Sequence, residues 1–174
     1  MSIFYCDKVI MDYENSCQWD RALIYLEEKY NDIEERRILY SLIGFSWLYY
    51  IEGPIMSKKY AFDPNDMALG IWKKYIDIGA HEAKEDPFFC FLTGYTLSLH
   101  GVYLSEKYEK MGNLLMMNCV NLAKNPLLKQ MAETFLVNER SQKYVTAKNN
   151  KQICEQYFNG KSLLDQYFNA IYGG

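Results

Sequence analysis

Asp86-Pro87-Phe88-Phe89-Cys90-Phe91-Leu92-Thr93-Gly94-Tyr95-Thr96-Leu97-Ser98-Leu99-His100-Gly101 is the stretch on which the fold turns. An Asx side chain accepts the free N–H groups of a first helical turn, and Pro at the next position brings a helical φ with no N–H to leave unpaired. Asp86-Pro87 therefore predicts a helix start, and His100-Gly101 a helix end in which Gly takes the left-handed conformation. From Pro87 to Leu104 there are eighteen residues with no side chain charged at neutral pH unless His100 is. A membrane span requires about 20 mostly apolar residues, whereas Thr93, Gly94, Thr96, Ser98, His100 and Gly101 interrupt this run. The expectation is a buried central helix with neighbours on both sides.

The same punctuation recurs at Asp63-Pro64 and Asn125-Pro126, so three of the four prolines open helices and an all-α protein is predicted. Working outward, Trp19, Leu23, Leu26 and Tyr30 share one face of a helix over 16–30. Asp32 and Glu35 have the spacing of a capping box that opens the next, which is expected to stop at Gly53-Pro54 and give way to a loop over 54–62. Helices follow from Asp63 to about Gly79 or Ala80, from Asp86 to His100, over 105–124, from Asn125, over 144–158 and over 162–172, the last capped by Ser162 with Asp165 three residues on. That makes about eight helices. Short links force consecutive helices to lie antiparallel, as a bundle or an irregular helical-repeat-like domain. No cap or period defines residues 1–14, which are expected to be extended or poorly ordered.

A chain of 174 residues, 49% hydrophobic and 24% charged, is expected to form a single domain over 1–174. Five cysteines at 6, 17, 90, 119 and 154 contain no C-x-x-C pair, so reduced thiols in a cytoplasmic protein are expected. The start MSIFYCDK has no basic region before an apolar run, so no secretory signal is expected.

Chemistry is hard to find in these residues. His81 and His100 are the only histidines, both at predicted helix C-termini, where the dipole favours a partly protonated imidazole. His81 lacks the second histidine of H-E-x-x-H, and neither histidine follows a glutamate at the spacing of a helical di-iron site. Cys90 and Cys119 stand among apolar neighbours, the setting of inert core thiols. Gly70, Gly79, Gly94, Gly101 and Gly112 are isolated and form no phosphate loop; they read as close helix contacts or helix ends. Gly173-Gly174 reads as a frayed helix end rather than a conjugation tail. No enzyme, metal or cofactor is expected.

What remains is surface. Residues 1–35 hold nine acids (Asp7, Asp12, Glu14, Asp20, Glu27, Glu28, Asp32, Glu34, Glu35) against Lys8, Arg21 and Lys29, a balance of −6 in a chain of net charge −3. The basic excess elsewhere is small and dispersed, which argues against direct nucleic-acid binding. Tyr25, Glu27, Glu28, Tyr30, Asp32, Glu34 and Glu35 form an acidic stretch with interleaved tyrosines, suited to steering and holding a cationic partner. Glu82 and Glu85, with the capping Asp86, form a second acidic knot. Sixteen tyrosines join a large apolar ring to a polar tip and are expected to serve packing first and partner binding second.

The segments Trp72 to Tyr75, Gly79-Ala80-His81-Glu82, Asp86-Pro87-Phe88-Phe89 and Gly94-Tyr95-Thr96-Leu97 resemble the middle of small all-helical immunity proteins that accompany bacterial contact-dependent growth-inhibition toxins. That resemblance implies a cytosolic antidote that binds a cognate toxin domain, often a cationic nuclease, one to one and blocks its active site. It transfers no site residues. A helical-repeat adaptor with an aromatic groove is the alternative, and a small enzyme using His81 or His100 a third.

Overall fold

The computed structural model describes residues 2–56, 65–138 and 147–172, and they are all-helical. Nine α-helices occur among the described residues: α1 (Lys8–Asn15), α2 (Trp19–Ile33), α3 (Arg36–Met56), α4 (Asn65–Glu82), α5 (Pro87–His100), α6 (Glu106–Leu122), α7 (Pro126–Asn138), α8 (Ala147–Tyr157) and α9 (Leu163–Tyr172). A 3-10 turn, Gly101–Tyr103, joins α5 to α6.

α5 is the buried central helix that its sequence demands. Asp86 Oδ1 accepts from the amides of Phe88 and Phe89, and every residue from Phe88 to Leu97 is buried. α3 is its partner at the centre, buried from Ile38 to Tyr49 and packed on α2, α4, α5 and α9. Asn125 Oδ1 accepts from Leu127 N at the start of α7, and the Ser162–Asp165 capping box closes reciprocally at α9. No helix among the described residues is long and apolar enough to cross a membrane.

Successive helices pack antiparallel where side chains fix the register. Trp19 of α2 meets Tyr49 of α3 while Tyr30 lies towards Arg36; Tyr50 of α3 meets Trp72 of α4 while Arg36 reaches Glu82. α5 and α6 come close enough that a Cβ on Gly94 would lie 2.9 Å from Met116 N, and one on Gly112 2.5 Å from Ser98 N. Side chains at these points are excluded by backbone.

Several expectations are corrected. Residues 8–15 are helical, because Asp7 accepts from Ile10 N and Ile10 and Glu14 turn inwards. α2 begins at Trp19, since Cys17 has φ 56° and breaks the helix off from Ser16. There is no capping box at Asp32: α2 runs through Ile33, Glu34 takes the left-handed conformation at φ 51°, and its N–H bonds Tyr30 O. α3 continues to Met56, three residues beyond Gly53, because a proline in a last turn removes one amide donor and leaves the remaining hydrogen bonds of that turn. Gly101 is right-handed at φ −60°; it is needed because a Cβ would meet the Glu109 backbone at 2.9 Å. The expected Asp63-Pro64 cap, residues 57–62 of the expected loop and Gly173-Gly174 lie outside the described residues.

One core cluster extends from Phe4 to Tyr172. Phe4 is fully buried, stacked on Phe158 and Phe168, whose own centroids are 4.7 Å apart. Tyr30, Tyr40, Tyr49, Tyr75, Tyr95, Tyr108, Tyr157 and Tyr172 are buried as well, so much of the tyrosine content is packing.

Candidate functional site

The two acidic stretches, some fifty positions apart in the chain, meet at one end of the molecule. The left-handed residue Glu34 turns α2 into α3 within two residues, which leaves Glu34 and Glu35 on a corner. Tyr30, one turn earlier, is buried against Tyr75 of α4 with ring centroids 5.4 Å apart. Its hydroxyl donates to Glu82 Oε2 at 2.9 Å. Arg36, the first residue of α3, donates from Nη2 to the Glu82 carbonyl at 2.5 Å, so a cation serves the C-terminus of α4. Burial, with Glu82 second, pushes the Tyr30 phenol up to about 12, so it remains a neutral donor at physiological pH.

Beyond Glu82 a tight turn leads into α5. Ala83 N bonds Gly79 O and Asp86 N bonds Ala83 O, which presents Lys84 and Glu85 to solvent. Asp86 points inwards: besides capping α5 it accepts from the Tyr40 hydroxyl. Burial, with Asp86 second, raises the Tyr40 pKa.

The nine residues singled out as partner-binding thus have different fates. Glu28, Asp32, Glu34 and Glu85 are exposed and make no ion pair among the described residues. Glu82 is exposed and anchored by Tyr30. Glu35 lies 3.6 Å from Arg37 Nη1, and Glu27 accepts from Lys74 Nζ at 2.8 Å. Tyr30 is core with its hydroxyl as a strut. Tyr25 faces α1, where its hydroxyl donates to Asp7 Oδ2 at 2.7 Å and its ring lies edge-on to Tyr13. The acidic end is therefore Glu28, Asp32, Glu34, Glu35, Glu82 and Glu85, with Arg36, Arg37 and Lys84 interspersed.

The balance of −6 over residues 1–35 is not one surface. Asp7 caps α1, and Glu14 is buried, where desolvation pushes its carboxyl up to about 7. Glu14 is thereby withdrawn from long-range steering, while Asp7 is held at the start of α1 by Ile10, Tyr5 and Tyr25. Arg36 is the residue that the sequence reading missed at this site. Its placement depends on α3 starting at residue 36, and the apparent capping box at Asp32 conceals that start.

The histidines stand in the last turns of α4 and α5. His100 Nδ1 accepts from Trp47 Nε1 at 3.1 Å, and burial lowers its pKa, so the expected gain of charge from the helix dipole is reversed. Cys90 and Cys119 are fully buried, with thiols pushed up by burial to about 11 and about 12. Among the described residues no three His, Cys, Asp or Glu side chains are grouped to hold a metal.

No family model matches the chain, and comparison with curated proteins and with solved structures gives no match.

Proposed function

We propose that this protein is an immunity protein of a contact-dependent growth-inhibition system, acting in the cytoplasm as an inhibitor of one cognate, cationic nuclease toxin domain. The observation that carries the proposal is the meeting of Tyr30 and Arg36 with Glu82, which brings the α2–α3 and α4–α5 corners into one acidic end with outward-facing carboxylates. A nuclease holds nucleic-acid phosphates with Lys and Arg, and a group of exposed carboxylates offers those cations the same sign of charge. Complementary charge raises the association rate, and close pairs formed on docking contribute about 1.5–7 kcal/mol of coupling where they are desolvated. Inhibition follows from occupation of the cleft, without bond chemistry on either side.

The adaptor with an aromatic groove draws on tyrosine abundance, and eight tyrosines among the described residues are buried. The acidic end therefore has the stronger claim. The test is co-expression of this protein with the toxin domain encoded beside it, followed by gel filtration of the mixture and a growth assay. A one-to-one complex and restored growth are the expected results. If the pair neither co-elutes nor protects, the proposal fails.

A further inference from the structure

Residues 2–15 are fastened to the rest of the fold by polar contacts to α3, to the end of α8 and to the start of α9. Ile3 N bonds Tyr157 O at 3.1 Å, and Tyr5 N bonds the Ser41 hydroxyl at 2.8 Å. Arg37 of α3 donates from Nε to Ser2 O and from Nη2 to Phe4 O. The Ser2 hydroxyl donates to Asp165 Oδ1 at 2.6 Å, while Asp165 Oδ2 accepts from the amide and hydroxyl of Ser162. Gly160 leaves no room there, since a Cβ would press on Asp165 and Ser2.

Into this arrangement α1 inserts a second carboxyl. Glu14 is 8% exposed, and its Oε2 accepts from the Leu163 amide at 3.1 Å, one of the free N–H groups of the first turn of α9. One helix terminus thus serves two buried carboxyl groups from opposite ends of the described chain. The groups facing Glu14 are Asp165 from α9 and Cys6, whose thiol in turn feels Asp7 and Arg37. The Arg37 guanidinium is directed at the two carbonyls, Tyr25 of α2 is engaged with Asp7, and no cation pairs with Glu14 among the described residues. A helix terminus supplies about half a positive charge, too little for two buried anions.

We propose that Glu14 is a pH-operated clasp: with its carboxyl protonated it fastens residues 2–15 to the start of α9, and once ionised it repels Asp165 and loosens them. Burial is the largest influence on Glu14, opposed by the Leu163 amide and reinforced by Asp165, and it pushes the carboxyl up to about 7. The clasp therefore switches around neutrality. In sign, the native state holds a proton that the unfolded chain gives up above its ordinary carboxyl value. Attachment of the segment weakens as pH rises from about 4.5 through about 7, and the loss is complete above that.

Amide hydrogen exchange read by mass spectrometry, corrected for the intrinsic pH dependence of exchange, tests this on the whole protein. Peptides covering 2–15 are expected to open roughly tenfold or more as pH is raised from about 5.5 to about 8.5, while α5 peptides hold their protection. Glu14→Gln, which keeps the shape and the oxygen facing Leu163, is expected to abolish the pH response, whereas Asp12→Asn on the exposed face of α1 leaves it intact. Equal protection of 2–15 in the wild type at both pH values, or a Gln variant that responds as the wild type does, overturns the proposal. Should Glu14→Gln fail to fold, the side-chain carboxyl of Glu14 can be titrated by 13C NMR in the wild type. A midpoint near neutrality sustains the clasp, and one in the ordinary carboxylate range refutes it.

Discussion

Cysteine reactivity is set residue by residue, by burial and by what the buried thiol faces. Cys17 is exposed at a left-handed turn between α1 and α2, whereas Cys90 and Cys119 are enclosed by apolar groups that disfavour the thiolate. With a thiol reagent in excess, Cys17 is expected to be modified in the native protein, and Cys90 and Cys119 only as fast as the molecule unfolds. Peptide mapping after timed quenching checks this; modification of Cys119 ahead of Cys17 would contradict the burial. His100 gives a second reading at this scale. Burial and the indole N–H of Trp47 both favour the neutral imidazole, so its NMR titration is expected to have a midpoint below the unperturbed value of about 6.5. The sign for stability follows: the contribution is whole above about pH 6.5 and is lost as pH falls below it. Residue identity alone suggested the opposite, because a helix C-terminus attracts charge and nothing in the sequence announces that Trp47 lies within hydrogen-bond distance.

Between elements, the α5–α6 contact is sensitive to a single methyl group, because backbone stands where it would go. Gly112→Ala forces a Cβ against the Ser98 amide and is expected to cost about 3 kcal/mol, the upper part of the usual range for overpacking. Gly70→Ala on α4 has nothing within 4 Å of the new Cβ and is expected to stabilise by about 0.5–1 kcal/mol. Urea unfolding of the two variants separates a packed glycine from a dispensable one; equal midpoints would mean that the two helices do not approach as described. Which glycine is which was not legible in the sequence, where both are isolated residues in helical patterns. Helix starts at Asp86, Asn125 and Ser162 were legible because a cap acts over three residues. The α2–α3 boundary was hidden because Glu34 takes a conformation usually left to Gly or Asn, and Asp32 with Glu35 mimics a cap at a point where α2 simply continues. α1 was hidden for a different reason: eight residues carry too few periods to register, although Asp7 caps it.

Across the molecule, the all-α class and the buried central helix were written in the sequence, since both rest on caps and apolar runs. The acidic end was only half written there. Its carboxylates stand in two short stretches, but their union depends on Tyr30 and Arg36 both meeting Glu82, and their number is reduced by Lys74 on Glu27 and by the burial of Glu14. Tyr30→Phe is expected to cost about 1 kcal/mol and to release the Glu82 carboxylate, while Arg36 still holds the Glu82 carbonyl; urea unfolding measures the cost. The central claim is that exposed carboxylates on this end hold a cationic toxin domain. It is tested most directly by calorimetric titration of the proposed cognate toxin domain into the wild type and into the Glu28→Lys, Glu34→Lys, Glu85→Lys triple variant, with circular dichroism confirming that the helices are retained. The account predicts one-to-one binding by the wild type, weakening with salt, and an affinity at least roughly a hundredfold lower in the variant. Equal affinities for the two proteins would contradict it.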